Sequence, residues 1–157
     1  MNRYHIRRAT PDDGAAISAL LHALTPVFFD DPNTVLPEPV RLSFDPAGCR
    51  ERISDPMYLN WVAEADARVI GYASLRERRH LYHLFVARDH QRRGAARALW
   101  AAMLNECKPG QITVRSSLNA IPVYRQFGFV EQGDTETLLG LTYQLMVRDS
   151  GDEAENR

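Results

Sequence analysis

Two cysteines, Cys49 and Cys107, are all the chain has, and they stand too far apart for a CxxC metal or redox pair. Each reads as a buried or idle thiol, and no metal site is expected. No apolar run approaches the ~20 residues that a bilayer-spanning helix needs. The opening stretch, MNRYHIRRATPDD, lacks the apolar segment of a secretory signal. The expectation is therefore a cytoplasmic protein with no membrane partner. Excess charge is lacking too: the net charge is −1 at pH 7, so there is no global basic field to draw in nucleic acid. Neither G-x-x-x-x-G-K-[ST] nor G-x-G-x-x-G occurs, which argues against a P-loop or dinucleotide-binding domain. Internal repeats and low-complexity blocks are absent as well.

What is present is an ordinary globular composition, 45% hydrophobic and 25% charged over 157 residues. That length suits one domain with a real core. The reading is a single domain over residues 1–148, with 149–157 as a polar, frayed tail. Tyr4 to Arg8 reads as a short strand. Thr10-Pro11-Asp12-Asp13 starts a helix with apolar positions at Ala16, Ile17, Leu20, Leu21 and Leu24, and Pro26 stops it. Residues 25–46 carry five prolines and no clear period, which predicts a long loop or a broken helix. A short helix is expected from Asp45-Pro46 to about Ser54. Strands follow at Tyr58 to Ala65, Arg68 to Leu75 and His80 to Val86, the first two joined by an Asp66-Ala67 turn. A helix from about Arg92 to Glu106 comes next, closed by Pro109-Gly110. Then come a strand over Gln111 to Ser116, a helix over Asn119 to Phe127, and strands over Phe129 to Gln132 and Thr137 to Val147. This is a mixed α/β sheet.

The richest stretch is His80 to Trp100, HLYHLFVARDHQRRGAARALW. It reads as an apolar strand, a turn and a helix. A helix that opens at such a turn presents free backbone N–H groups and the positive end of its dipole. Phosphate is the natural occupant of such a site. Arg92, Arg93 and Arg97 add charge at the same place, and Gly94 lets the backbone approach a ligand closely. A plain strand-to-helix loop with solvated arginines explains the turn taken alone.

A second pattern changes that balance: Asn119-Ala120-Ile121-Pro122-Val123-Tyr124-Arg125-Gln126-Phe127-Gly128-Phe129. With Gln91-x-x-Gly94-x-Ala96 and the element order, it resembles the GNAT superfamily of acetyl-CoA-dependent N-acetyltransferases over nearly the whole chain. The resemblance implies an α+β fold with a mixed, mostly antiparallel sheet of six to seven strands and about four helices. It also implies a splayed strand pair that forms the acyl-CoA cleft. Gln91, Arg92, Arg93, Gly94, Ala95 and Ala96 would bind the pyrophosphate. Leu84, Phe85 and Val86 would pair with the pantetheine arm, with the Leu84 N–H as donor to the thioester carbonyl. Asn119 would touch the pantetheine, although helix capping explains it equally. Tyr124 would protonate the leaving thiolate, although its spacing from Phe127 suits core packing too.

The implied reaction is direct attack of a primary amine, from a small molecule or a peptide, on the thioester of acetyl-CoA through a tetrahedral intermediate. The amine must be neutral to attack, so a general base helps. The family often uses a carboxylate near the start of the fourth strand. This chain has none between His80 and Val86, and Glu77 is the nearest acid. His80 and His83 are the candidates. Their odd separation points them to opposite faces unless a bulge intervenes. Asp30 and Asp31 would attract a cationic amine if the 25–46 loop folds over the cleft. Phe28, Phe29, Trp61 and Tyr72 line either an acceptor pocket or the core. The resemblance is compatible with a homodimer. The alternative reading is a non-catalytic, acyl-CoA-binding module, recognisable by coenzyme A binding without thiol release.

Overall fold

The computed structural model describes residues 3–28, 35–138 and 140–151. The chain begins with β1 (His5–Arg8), and a 3-10 turn at Pro11–Asp13 leads into α1 (Gly14–Leu24). The expected Thr10–Pro11 start is built around Asp13. Its carboxylate accepts from the Thr10 N–H at 2.8 Å and takes a two-pronged contact from Arg7 at 2.8 and 2.9 Å. A second 3-10 turn, Thr25–Phe28, follows α1. Within the segment read as loop lies α2 (Glu38–Phe44), followed at once by α3 (Pro46–Ser54). Pro37 precedes α2 and Pro46 opens α3, the positions where proline is compatible with a helix. Pro37, within the stretch read as a loop, therefore marks a helix start, and Pro46 opens the helix expected there.

The sheet comprises β2 (Tyr58–Ala65), β3 (Arg68–Arg76), β4 (His80–Val86), β5 (Gln111–Ser117), β6 (Val130–Glu131), β7 (Glu136–Leu138) and β8 (Leu141–Asp149), together with β1. Its order is β1-β2-β3-β4-β5-β8-β6, with β7 paired to β8. It therefore has eight strands among the described residues, more than the six to seven expected, because the last hairpin splits into short segments. Two further helices, α4 (Ala95–Glu106) and α5 (Ile121–Gln126), bring the described α-helices to five, one more than expected through α2. α4 starts at Ala95, three residues after the expected Arg92. Arg92 and Gly94 have φ of 62° and 96°, which no right-handed helix accommodates. β8 takes in Asp149, and Ser150 and Gly110 exchange hydrogen bonds at 2.8 and 3.0 Å. The expected tail therefore does not begin at 149.

Apolar side chains from the two sheet faces form two cores. Leu81, Val86, Trp61 and Ala73 pack against Leu99, Trp100 and Met103 of α4 and Tyr124 of α5. Val62 and Tyr72 pack on the other face with Ile17, Leu21, Phe44 and Cys49 from α1–α3. Trp61 and Tyr72 are thus core residues, 5% and 0% exposed, and not lining for an acceptor pocket. Phe29, Asp30 and Asp31, and the side chain of Phe28, lie outside the described residues.

All neighbouring strands pair antiparallel except β4 and β5. These two run parallel and pair only at His80↔Thr113 and Leu81↔Val114, after which they part. At the same level the β3–β4 register jumps from Leu75↔Leu81 to Ser74↔His83. Tyr82 is the extra residue of a β-bulge, the device that bends a strand away from its neighbour.

Candidate active site

Where β5 leaves, β4 exposes one edge of its backbone. The Ala87 N–H donates to the Ile70 carbonyl of β3 at 2.8 Å. Alternation along the strand keeps the Phe85 N–H on that side. It turns the N–H groups of Leu84 and Val86 to the parted edge. The Val86 carbonyl on that edge accepts the Gln91 side-chain amide at 3.0 Å. Gln91 thereby ties the following turn to the end of the strand.

The turn is a run of backbone donors. The first bond of α4 is from the Ala98 N–H to the Gly94 carbonyl at 3.0 Å, and no side chain caps the helix. The N–H groups of residues 92–97 meet no acceptor among the described residues. Two left-handed residues in three, Arg92 and Gly94, curl them into a concavity of the kind that binds anions. A Cβ on Gly94 would meet nothing within 4 Å, so packing does not demand glycine there. The positive φ does, and the open space keeps the backbone approachable. Arg92, Arg93 and Arg97 are exposed around it, while Ala95 is anchored in the core. Ala96 packs against that core as well.

Tyr124 lies in α5 on the α4 side of the sheet. Its ring packs on Phe127 and Phe129 at 6.3 and 5.8 Å. Its hydroxyl makes no hydrogen bond among the described residues, and burial pushes the phenol well above its ordinary value. Asn119 is exposed in a 3-10 turn, Leu118–Ala120, just ahead of α5. Ala120 occupies the N-cap position of α5, so helix capping does not account for Asn119.

The histidines lie on the opposite face, and the bulge at Tyr82 brings both to it. His83 packs among Phe44, Tyr72, Tyr82 and Phe85, with ring centroids at 5.9, 5.9, 4.3 and 5.2 Å. Its Nε2 is buried without a hydrogen-bond partner among the described residues. Burial holds it neutral, well below the ordinary histidine value. His80 is half-buried at the first of the two paired rungs, one residue before the last rung at Leu81↔Val114. Its Nδ1 lies 2.7 Å from the Thr113 hydroxyl across on β5. Burial first, then the positive charges of Arg115 and Arg76, push it down to about 4.

The fork where β4 and β5 part therefore separates two kinds of chemistry. One face holds a buried tyrosine and a backbone anion cradle. The other holds a neutral histidine with a hydroxyl partner. Two participants have no signature in the sequence. Thr113 is an ordinary strand residue until the parallel rung sets it beside His80. Arg52 sits in a polar helix that gives no hint of burial. Yet its guanidinium is enclosed on the histidine face, lying over Tyr72 and Tyr82 at 5.5 and 5.9 Å. Among the described residues, no group of three or more His, Cys, Asp or Glu side chains is placed to hold a metal ion. No helix there is long and apolar enough to cross a membrane.

Comparison with known proteins agrees with this geometry. The family model for an acetyltransferase (GNAT) domain matches residues 38–149, from the start of α2 to the end of β8. Human N-acetyltransferase 8 is 32% identical over an alignment of 90 residues that covers 48% of this chain. The matched part spans 40% of that protein's length. A GCN5-related N-acetyltransferase from Rhodopseudomonas palustris has a similar structure, with a TM-score of 0.73 at 22% identity, covering 95% of this chain and 97% of the other. PaiA N-acetyltransferase from Thermoplasma acidophilum, solved with coenzyme A, gives a TM-score of 0.71 at 15% identity, covering 95% and 99%. YncA from Salmonella typhimurium, solved with acetyl-CoA, gives 0.66 at 22% identity, covering 98% and 97%. The chain belongs to the GNAT acetyltransferase family.

Proposed function

We propose that this protein transfers an acetyl group from acetyl-CoA to a primary amine of a small molecule or peptide. One observation carries the reading. The N–H groups of Leu84, Val86 and residues 92–97 meet no partner among the described residues, along one continuous path from the fork to the α4 turn. That path suits a ligand with amides at one end and a pyrophosphate at the other. Coenzyme A is such a ligand, and two structural neighbours were solved with coenzyme A or acetyl-CoA.

Acetyl-CoA supplies the activated acetyl group, and the chain's own residues divide the remaining work. The N–H groups of residues 92–97, helped by Arg92 and Arg93, hold the pyrophosphate. Leu84, Phe85 and Val86 align the pantetheine as a neighbouring strand would, and Asn119 borders it. The Leu84 N–H donates to the carbonyl oxygen as negative charge gathers there. The acceptor must bind as the neutral amine. An alkylamine with a pKa near that of lysine is neutral in about one molecule in a few thousand at pH 7. His80, neutral and oriented by Thr113, accepts the amine proton as the N–C bond forms and the nitrogen becomes acidic. A base depressed to about 4 is too weak to deprotonate a free ammonium ion, so it acts at that moment and not before. In this reading His83 shapes the face and takes no proton, since its ring is enclosed by four others.

Tyr124 stays protonated at neutral pH because burial raises its pKa. The same burial makes it a weaker acid than a thiol, whose ordinary pKa is about 8.5. It therefore stabilises the departing sulfur by donating a hydrogen bond. His80 passes the nitrogen's proton to solvent and the thiolate takes one from solvent, so the nitrogen loses one proton and the sulfur gains one. Thiol release from acetyl-CoA, screened across polyamines, aminoglycosides, amino acids and N-terminal peptides, tests the proposal. Turnover with at least one class supports it. Tight coenzyme A binding without thiol release from any class points instead to a non-catalytic binding module.

A further inference from the structure

Arg52 is 6% exposed, an unusual position for a guanidinium. No carboxylate among the described residues forms an ion pair with it. Its partners are neutral. Nε donates to the Tyr72 hydroxyl at 2.8 Å, one terminal nitrogen donates to the Ser43 carbonyl at 3.1 Å, and the other reaches the Cys49 sulfur at 3.6 Å. Burial raises the phenol of Tyr72 and the thiol of Cys49, so neither supplies a counter-charge at neutral pH. A guanidinium carries five N–H groups, so these three bonds leave donors over. An enclosed cation without an anion is costly, and arginine does not shed its proton.

Arg52 also lines a cleft of about 350 Å³ between α2, α3 and the ends of β2 and β4. Leu42, Tyr58 and Tyr82 give the cleft apolar surface, and Glu51 and Asp55 stand on its wall. One ring, Tyr82, separates this cleft from the catalytic fork. Tyr82 packs against Tyr58 at 5.3 Å, carries Arg52 over its face at 5.9 Å and lies 6.5 Å from His80. Tyr82 is also the bulged residue beside the last β4–β5 rung. The cleft thus opens on the face from which an amine would approach His80.

We infer that Arg52 binds a carboxylate of the acceptor, so that the preferred acceptors are amines carrying a carboxylate, with apolar or aromatic bulk between or beside the two groups. A planar, partly bonded guanidinium matches a carboxylate geometrically. Glu51 and Asp55 weigh against a dianion such as a phosphate monoester and leave a single carboxylate as the better match. The inference rests on the acetyltransferase reading for its setting and for the first of its two measurements, but not for the second.

The test compares paired amines that differ only in the carboxylate: phenylalanine with phenethylamine, 4-aminobutyrate with propylamine, and 6-aminohexanoate with pentylamine. In thiol-release assays the wild-type protein should favour the acid of at least one pair by about tenfold in kcat/KM. Arg52→Met should bring that ratio close to one while leaving the KM for acetyl-CoA unchanged, and Arg52→Lys should retain part of it. Similar rates within every pair, or a preference that survives Arg52→Met, would overturn the inference. A second readout depends neither on turnover nor on a variant that folds. In the nitrogen-15 spectrum of the wild-type protein, the Arg52 Nε–H resonance should move on titration with the acid and not with its decarboxylated partner. An unmoved resonance would overturn the inference even if thiol release proceeds. A moved resonance without thiol release would uphold carboxylate binding and sink the acetyltransferase reading.

Discussion

The two ends of β4 work by different means. From Leu84 into the α4 turn, the chain offers backbone: N–H groups left over by a departing strand and by two left-handed residues. From His80 to His83 it offers side chains, and their partners come from elsewhere, Thr113 from β5, Phe44 from α2 and Tyr72 from β3. Backbone donors cannot titrate and tolerate many side chains, so that end suits a ligand of fixed chemistry. Side-chain clusters change with single substitutions, so the other end is where specificity for an acceptor is free to vary. The lesson is that one seven-residue strand separates a generic task from a particular one, with the bulge at Tyr82 as the dividing point.

The largest effect expected from this division is with pH. Because His80 is pushed down to about 4, it is neutral from pH 6 to 9 and adds no titration of its own there. Only the neutral fraction of the amine changes, so kcat/KM should climb about tenfold per pH unit until the amine's own pKa is reached. A break near 6.5 in the profile would mean that His80 titrates as an ordinary histidine. Next in size is Tyr124→Phe, expected to lower kcat about a hundredfold while the KM for acetyl-CoA stays within about twofold. Full turnover in this variant would remove Tyr124 from the chemistry. Gly94→Val should raise the KM for acetyl-CoA about tenfold with kcat largely kept, since a side chain at φ 96° is strained and projects into the cradle. If kcat fell instead, the two ends of β4 would not be separable.

The smallest effect marks what lies outside both ends. Asp13→Asn should cost about 1–2 kcal/mol of stability and leave the kinetic constants alone. The hydrogen bonds from Arg7 hold the Asp13 carboxyl below its ordinary range. Its contribution is therefore present above the unfolded pKa near 4 and is lost as the pH falls through the lower folded value. Denaturant midpoints of wild type and variant should converge only under strongly acidic conditions.

The same contrast explains what could be read from the sequence. The strand, turn and helix at the backbone end were legible because Gln91, Gly94 and the apolar run before them are contiguous and set local conformation. The short helix that carries Tyr124 was legible through Asn119 ahead of it and Phe127-Gly128-Phe129 behind it. The histidine end was only half legible. Residue parity sent His80 and His83 to opposite faces, and a single bulged residue, invisible in a seven-residue apolar strand, overruled it. α2 was hidden because Pro37 and Pro39 look like breakers yet stand at its start, where a missing N–H costs nothing. Arg52 was hidden for another reason. Its burial depends on two short helices folding against Tyr72 and Tyr82, and the local pattern RERIS carries no trace of that.

Amide hydrogen exchange with and without coenzyme A tests the division of β4 most directly. Added coenzyme A should slow exchange at Leu84, Val86 and residues 92–97, and leave the amides of His80 to Tyr82 and of α3 unchanged. Unaltered exchange at Leu84, Val86 and the α4 turn, with protection appearing at His80 to His83 or along α3, would contradict it.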